Sequence, residues 1–284
     1  MEKEIKLIAL DLDGTLFDEQ KCISEENRNA IREASRLGVQ TVISTGRPCM
    51  GLPTKEMEET GIRYAITANG AALYSMPEKE CLYSDCLDWE TSCALLENLG
   101  RLDIRIDIFV RGQGYSEYRY GHDIDRMSLP QSMKQYLSTT RRNVESLPEY
   151  VREHRAQVEK FTLNFYPRQD GTYEDYDRAV QLLSGNESLT VVSGGYHNLE
   201  ISSRNATKGK GLCILARMLG IDPGQTMACG DSENDIDILE TAGIGVAMGN
   251  ADDSVKRIAD YVTRSNEENG VAHAIRELVL NQKI

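Results

Sequence analysis

The chain has 284 residues, of which 40% are hydrophobic and 27% are charged, values typical of a globular protein with about two domains. Its formal net charge of −13 disfavours nucleic acid and anionic membrane surfaces as partners, because both repel a negative surface. No apolar run approaches the roughly 20 residues that a membrane helix needs. The seven cysteines are scattered without a zinc-binding spacing, which favours reduced thiols in a cytoplasmic protein.

Short apolar segments alternate with helical patterns in the first and last parts of the chain. Strands are predicted at 5–10, 39–43, 64–67, 226–229 and 245–248. Helices are predicted at 24–37, 208–219 and 271–280, with another that ends at about Thr241. Strand and helix in regular succession predict an α/β fold with a doubly wound, parallel, Rossmann-like sheet.

The middle of the chain has a different pattern. Strand candidates at 105–110, 161–166 and 189–193 alternate or mix polarity, which favours an antiparallel sheet with one exposed face. We therefore interpret 85–196 as an α+β domain inserted into a core that is formed by 1–84 and 197–284.

Acidic side chains follow the predicted strands of the core. Asp11 and Asp13 come after the first strand, Thr45 after the second, and Asp231 and Asp235 after the strand that ends at about residue 229. Ligands of open α/β sheets bind outside the carboxyl ends of the strands. If these strands are neighbours, at least three carboxyl groups converge on one crevice.

Such a crevice needs a compensating positive charge. Two carboxylates about 4 Å apart repel each other by roughly 4 kcal/mol at an effective dielectric constant near 20. Oxygen ligands at this density select a hard cation, and Mg²⁺ is the expected one. Lys208, at a predicted helix start, adds a second positive charge, and Gly14 and Gly46 let backbone N–H groups approach a phosphate closely.

The residues at these strand ends resemble the motifs of a known family. The run 11–16 reads D-L-D-G-T-L and resembles the D-x-D-G-T-L motif of haloacid-dehalogenase-type phosphohydrolases. The run 45–47 is similar to the second motif of that family, Lys208 to the third, and 230–235 to the G-D-x-x-N-D of the fourth. Asn-Gly-Ala at 69–71 and the large insertion resemble the Cof-type branch, in which an α/β cap occupies that insertion.

The resemblance implies a Mg²⁺-dependent phosphatase, a phosphoric monoester hydrolase that acts on small phosphorylated metabolites such as sugar phosphates. Asp11 is then the nucleophile that forms an aspartyl-phosphate. Asp13 is the general acid to the leaving oxygen and then the general base toward water, and crowding by like charges is expected to raise its pKa.

The resemblance also implies the binding roles of the other motif residues. The implied metal ligands are the Asp11 side chain, the Asp13 backbone carbonyl and Asp231, with Asp235 as a water-mediated or indirect partner. The implied phosphoryl-binding groups are the Leu12 backbone, Thr45, Gly46, Lys208 and Asn234. Arg47 either reaches the substrate or fixes its loop.

Two alternative functions remain open at this stage. A phosphomutase of the same superfamily passes the phosphoryl group to a sugar hydroxyl instead of water. A non-catalytic phospho-acceptor protein also uses a strand-end aspartate, a threonine and a lysine, but it is usually a single compact domain without a carboxylate in the position of Asp13.

Overall fold

The computed structural model describes residues 4–121, 123–194 and 197–281. In chain order, the strands are β1 (Leu7–Leu10), β2 (Gln40–Ser44), β3 (Tyr64–Thr67), β4 (Ala72–Ser75), β5 (Glu80–Ser84), β6 (Ile104–Val110), β7 (Gln113–Glu117), β8 (Arg141–Val144), β9 (Lys160–Phe165), β10 (Leu189–Gly194), β11 (Asn198–Ser203), β12 (Thr226–Gly230), β13 (Ile244–Ala247) and β14 (Tyr261–Val262). The α-helices are α1 (Glu25–Arg36), α2 (Thr54–Thr60), α3 (Trp89–Leu99), α4 (Gln131–Thr140), α5 (Leu147–His154), α6 (Tyr176–Leu183), α7 (Lys208–Met218), α8 (Ile236–Thr241), α9 (Asp253–Ile258) and α10 (Gly270–Ile275). A π-helical segment, Arg276–Leu280, follows α10.

One compact unit comprises Met1–Arg47, Pro53–Tyr83 and Thr207–Ile284. Its eight-stranded sheet has the order β14-β13-β12-β1-β2-β3-β4-β5, and the strands from β14 to β3 are parallel. Among the pairings described for this sheet, only β3 and β4 are antiparallel. Helices α1, α2 and α10 pack together, as do α7, α8 and α9. The predicted doubly wound α/β fold is confirmed.

Local sequence explains the central elements of this unit. The four residues of β1 are apolar and buried, as expected for a central parallel strand that is covered on both faces. Helix α1 begins after Ser24, whose side chain accepts a hydrogen bond from the Asn27 N–H, and two glutamates lie in its first turn. Strands β1 and β12 are aligned so that Leu10 pairs with Cys229, which brings the carboxyl ends of both strands to one place.

The second compact unit comprises Pro48–Leu52 and Ser84–Ala206. Its six-stranded sheet has the order β10-β11-β9-β6-β7-β8 and is antiparallel except for the parallel pair β7–β8. One face carries Ile106, Phe161 and Leu163 and packs against α3, α5 and α6. The insertion predicted at 85–196 ends before β11, which pairs with β9 and β10 in this sheet, and its residues 195 and 196 lie outside the described residues.

The opposite face of this second sheet corrects the expectation of an exposed surface. Every residue of β6 and β9 is buried, including Arg105, Asp107 and Lys160. Burial is tolerated because the charges are paired: the Asp107 carboxylate contacts Arg105 at 3.0 Å and Arg141 at 3.1 Å, and Lys160 contacts a glutamate of β11 at 2.5 Å. Alternation therefore identified the two faces of these strands, but a polar face need not be a solvated one.

No helix in the described part of the chain is long and apolar enough to cross a membrane.

Candidate active site

Three acidic side chains meet at the carboxyl ends of β1 and β12. Asp11 follows β1, and its N–H donates a hydrogen bond to the Cys229 carbonyl at 3.1 Å. Asp231 and Asp235 follow β12, and each of the three aspartates offers one carboxylate oxygen within 4.8 Å of the others. The expected convergence of Asp11 and Asp231 is therefore present in the structure.

The charge of this cluster fits a hard divalent cation. Burial, opposed by Lys208 and reinforced by Asp235 and Asp231, raises the pKa of Asp11 well above its usual range. Burial and the neighbouring Asp235 likewise raise the pKa of Asp231 to about 7. Raised pKa values mean that the site disfavours its own negative charge, and oxygen donors in this arrangement are suited to Mg²⁺.

Lys208 is the cation that the structure places inside the cluster. Its Nζ lies 2.7 Å from Asp11 Oδ1 and 2.7 Å from Asp235 Oδ1, and the residue is 1% exposed. Burial alone would lower the pKa of the ammonium group, but the two carboxylates outweigh it and raise this pKa. Lys208 opens α7, where Thr207 caps the helix by accepting from the Lys210 N–H.

Asp235 links Lys208 to the backbone of the loop that carries Asp231. One oxygen of its buried carboxylate contacts Lys208, and the other accepts hydrogen bonds from the N–H groups of Asp231 at 3.0 Å and Ser232 at 3.1 Å. Both oxygens thus hold neighbouring parts of the site. A water-mediated role toward a metal ion stays a prediction.

Asp13 is placed differently from the expectation. Its carboxylate receives two hydrogen bonds of 2.7 Å from the Arg47 guanidinium and one of 2.8 Å from the Lys21 ammonium. Burial alone would raise the pKa of Asp13, but Arg47 and Lys21 outweigh burial and lower it to about 2. The expectation that like charges raise the pKa of Asp13 is therefore wrong, because its side chain faces two cations.

The other predicted binding residues lie in loops at this edge of the sheet. Thr45 is buried directly after β2, and its hydroxyl accepts a hydrogen bond from the Arg47 N–H at 3.2 Å, across Gly46. The Leu12 carbonyl accepts from the Phe17 N–H at 2.8 Å. The Arg47 guanidinium holds the Asp13 carboxylate, and the expected role of Arg47, contact with the substrate or fixing of its loop, stays a prediction.

Asn234 lies in the loop after β12. Its Oδ1 accepts a hydrogen bond from the Ser232 hydroxyl at 2.8 Å, and its Nδ2 lies 3.4 Å from Asn69 Oδ1. Asn69 adopts a left-handed conformation with φ of 58°, which places its amide next to the Asn234 side chain. The Asn-Gly-Ala run at 69–71 thus adjoins the fourth motif.

Sequence reasoning gave no role to Thr15 and Lys21, and it gave Gly14 a different role from the one seen here. The Thr15 hydroxyl donates a hydrogen bond of 2.8 Å to Asp231 Oδ1 and so orients that carboxylate. Gly14 has φ of +86°, and a Cβ atom there would overlap the Asp231 carboxylate. Thr15 and Gly14 belong to the D-x-D-G-T-L run and could have been found from it, whereas nothing in the sequence marks Lys21.

The fold and these side chains are together typical of a hydrolase that cleaves phosphate esters at the carboxyl ends of the strands of a doubly wound sheet. Over residues 8–275 the chain matches the family model described as haloacid dehalogenase-like hydrolase. The chain belongs to this family, and its predicted class, the phosphoric monoester hydrolases, is confirmed.

Relatives over the full length support this assignment. The chain is 35% identical to phosphatase YwpJ of Bacillus subtilis (97% of this chain, 100% of the relative). It is 32% identical to the 5-amino-6-(5-phospho-D-ribitylamino)uracil phosphatase YcsE of the same organism (98% of this chain, 97% of the relative). A solved haloacid dehalogenase-like hydrolase from B. subtilis has 33% identity and a TM-score of 0.84 (97% of this chain, 100% of that chain).

Proposed function

We propose that the chain is a Mg²⁺-dependent phosphatase that hydrolyses small phosphorylated metabolites through an aspartyl-phosphate on Asp11. The observation that carries this proposal is the cluster of Asp11, Asp231 and Asp235, in which the buried carboxylates of Asp11 and Asp235 both contact the ammonium group of Lys208. With all three carboxylates ionised, Lys208 leaves the cluster negatively charged. A divalent cation relieves that imbalance, and it also offers a positive partner to a phosphate group.

The metal ion would be held by the side chains of Asp11 and Asp231 and by the Asp13 backbone carbonyl, with Asp235 acting through water. When bound, it would neutralise charge on the carboxylates and on the phosphoryl oxygens. Thr15, which donates to Asp231, would keep that ligand oriented.

The covalent steps use Asp11 and Asp13. A carboxylate oxygen of Asp11 forms a bond to phosphorus while the bond from phosphorus to the ester oxygen breaks, and Asp13 gives a proton to the departing alcohol. Water then attacks phosphorus, its proton goes to Asp13, and the bond between Asp11 and phosphorus breaks to release phosphate. Lys208, the Thr45 hydroxyl, Asn234 and the backbone of Leu12 and Gly46 would hold the phosphoryl oxygens.

The contacts of Asp13 set a condition for this mechanism. A carboxylate with a pKa of about 2 carries no proton at neutral pH, so in its present contacts Asp13 has the form of a base. An acid role requires Arg47 or Lys21 to leave the Asp13 carboxylate. A bound phosphomonoester offers both cations an alternative anionic partner, as Arg47 would need if it also reaches the substrate.

The proposed substrate class rests on the relatives. YcsE is named for a phosphorylated ribityl compound, and a further relative, YbhA of Escherichia coli, is 30% identical and named as a pyridoxal phosphate phosphatase. Both names denote a phosphate ester of a small organic molecule.

The test is a panel of phosphorylated metabolites assayed for free phosphate, with Mg²⁺ and with a chelator, on the wild type and on Asp11→Asn. We expect release of phosphate that requires Mg²⁺ and is abolished in the variant. Retained turnover in Asp11→Asn would exclude the nucleophile. An isomerised sugar phosphate in place of free phosphate would identify a mutase instead.

A further inference from the structure

The loop that follows the nucleophile is tied to the C-terminal part of the chain by asparagine side chains. Asn250 Nδ2 donates a hydrogen bond of 2.8 Å to the Gly14 carbonyl, and Asn266 Nδ2 donates one of 2.9 Å to the Phe17 carbonyl. These two carbonyls bracket the stretch that contains Thr15. Residues about 250 positions apart in the sequence therefore fix this loop from outside.

The orientation of the Asn250 amide is determined by its partners. Asn250 Oδ1 accepts a hydrogen bond of 2.9 Å from the Asn266 N–H, so the other end of the amide, which can only donate, faces the Gly14 carbonyl. We call these two residues the Asn250–Asn266 pair. The backbone of Asn266 therefore orients the Asn250 side chain that holds Gly14.

The segment that carries the pair is itself held firmly. Ser265 and Glu268 form a capping box, with the Ser265 hydroxyl 2.8 Å from Glu268 Oε2, at the start of the turn that contains Asn266. The Gly249 N–H donates to the Arg264 carbonyl at 2.9 Å, and a Cβ atom on Gly249 would lie 2.7 Å from the Ser265 nitrogen. The two strand-end loops therefore approach each other too closely for any side chain at position 249.

The held loop also contacts Asp231. Gly14 lies against the Asp231 carboxylate with no space for a Cβ atom, and Thr15 donates to Asp231 Oδ1. Gly14 therefore packs against Asp231 and accepts a hydrogen bond from Asn250. Asp13 directly precedes Gly14, so a shift of the Gly14 carbonyl displaces Asp13 as well.

We propose that Asn250 and Asn266 are positioning residues that hold the Asp13–Phe17 loop in place, so that Asp13 reaches the leaving oxygen of the substrate. Neither residue touches the reacting atoms. The inference rests on the proposed function, because it assigns the consequence of the two hydrogen bonds to proton transfer by Asp13.

The test compares two leaving groups in Asn250→Ala and Asn266→Ala. p-Nitrophenolate departs without protonation, whereas the alcohol of an alkyl phosphate needs a proton from Asp13. The quantity measured is kcat/KM, which covers the steps up to departure of the leaving group and excludes later hydrolysis of the aspartyl-phosphate. The alkyl phosphate used is the one that the wild type hydrolyses best among the phosphorylated metabolites of the panel proposed above.

We expect kcat/KM for the alkyl phosphate to fall at least about tenfold more than kcat/KM for p-nitrophenyl phosphate in each variant. The double variant should lose less than the product of the two single losses, because both amides hold one loop. The matched control is Asn98→Ala, which removes an exposed amide that donates to the Ala94 carbonyl in α3. This variant should change kcat/KM for neither substrate.

The outcomes separate the two claims. Equal losses on both substrates, or no loss, in folded single variants would overturn the positioning role. A wild type that hydrolyses neither substrate would contradict the proposed function instead. If one single variant does not fold, the other carries the test, since each removes one hydrogen bond to the same loop.

Discussion

Replacement of Lys208 by methionine removes the cation on which the ligand-free cluster depends. Methionine has a similar length and no charge, so the variant leaves the Asp11 and Asp235 carboxylates buried without the ammonium group between them. We expect a large loss of folding stability in the absence of metal ions and a loss of activity.

The contacts set the magnitude. Each ammonium–carboxylate distance of 2.7 Å corresponds to roughly 6 kcal/mol of attraction at an effective dielectric constant near 20. Desolvation of the three groups cancels much of this attraction in the wild type, but the desolvation of the two carboxylates remains when only the lysine is removed. Removal of one partner from a buried ion pair typically costs about 3–5 kcal/mol, and we expect a loss in this range.

The assay is urea unfolding of wild type and Lys208→Met in the presence of a chelator, repeated with Mg²⁺. The control is Lys55→Met, since the side chain of Lys55 is 83% exposed and lies 3.9 Å from Glu59, a pair worth less than about 1 kcal/mol. Added Mg²⁺ should restore part of the stability of Lys208→Met by replacing the missing charge. A loss below about 1 kcal/mol, or one equal to that of Lys55→Met, would refute the electrostatic account.

Three further predictions follow from single contacts. Thr15→Val removes the hydrogen bond to Asp231 and should weaken the apparent affinity for Mg²⁺ by about 10–100-fold in an activity titration; an unchanged midpoint would contradict this. Gly14→Ala should lower kcat by about a hundredfold because its Cβ displaces the Asp231 carboxylate, whereas Gly38→Ala, with a similar φ of +82° and open space around it, should leave kcat intact. Asp107→Asn should destabilise the protein by roughly 3–5 kcal/mol in urea unfolding, since it leaves two arginines facing an amide. Burial opposes the effect, but the two arginines lower the pKa of Asp107, so the difference from wild type should be full above about pH 4 and shrink as the pH falls further.

The convergence of Asp11 and Asp231 was predictable because two constraints act together. Each aspartate follows an apolar run typical of a buried strand, and parallel strands bring their carboxyl ends to one edge of the sheet. Lys208 was predictable because it lies at a predicted helix start and resembles the third motif of the family, although a single lysine would otherwise be interpreted as a surface residue. Backbone topology decides the positions of the aspartates, and hydrophobic patterning indicates that topology.

The direction of the Asp13 side chain was not predictable in the same way. It depends on the turn at Gly14, which has φ of +86°, and on Lys21, which has φ of 62° and lies outside every motif. Such loop conformations depend on distant contacts, including those from Asn250 and Asn266. A sequence pattern gives the order of residues in a loop, but not which side chains share its inner face.

The polar strand faces of the inserted part show a second limit. Alternation at Arg105 and Asp107 indicated one apolar and one polar face, and the structure has both, yet the polar face is buried. Its burial depends on the match between Asp107 and Arg141, which lies 34 positions away. Pairing over that distance leaves no periodic signal in the sequence.

The central claim is that Asp11 carries the phosphoryl group during turnover. The most direct measurement is to quench the enzyme during turnover of a phosphomonoester, reduce it with borohydride and sequence its peptides by mass spectrometry. An acyl-phosphate at position 11 is reduced to homoserine, and we predict homoserine at that position in the wild type when substrate is present, with none in Asp11→Asn. Steady release of phosphate without any modification at position 11 would contradict the account.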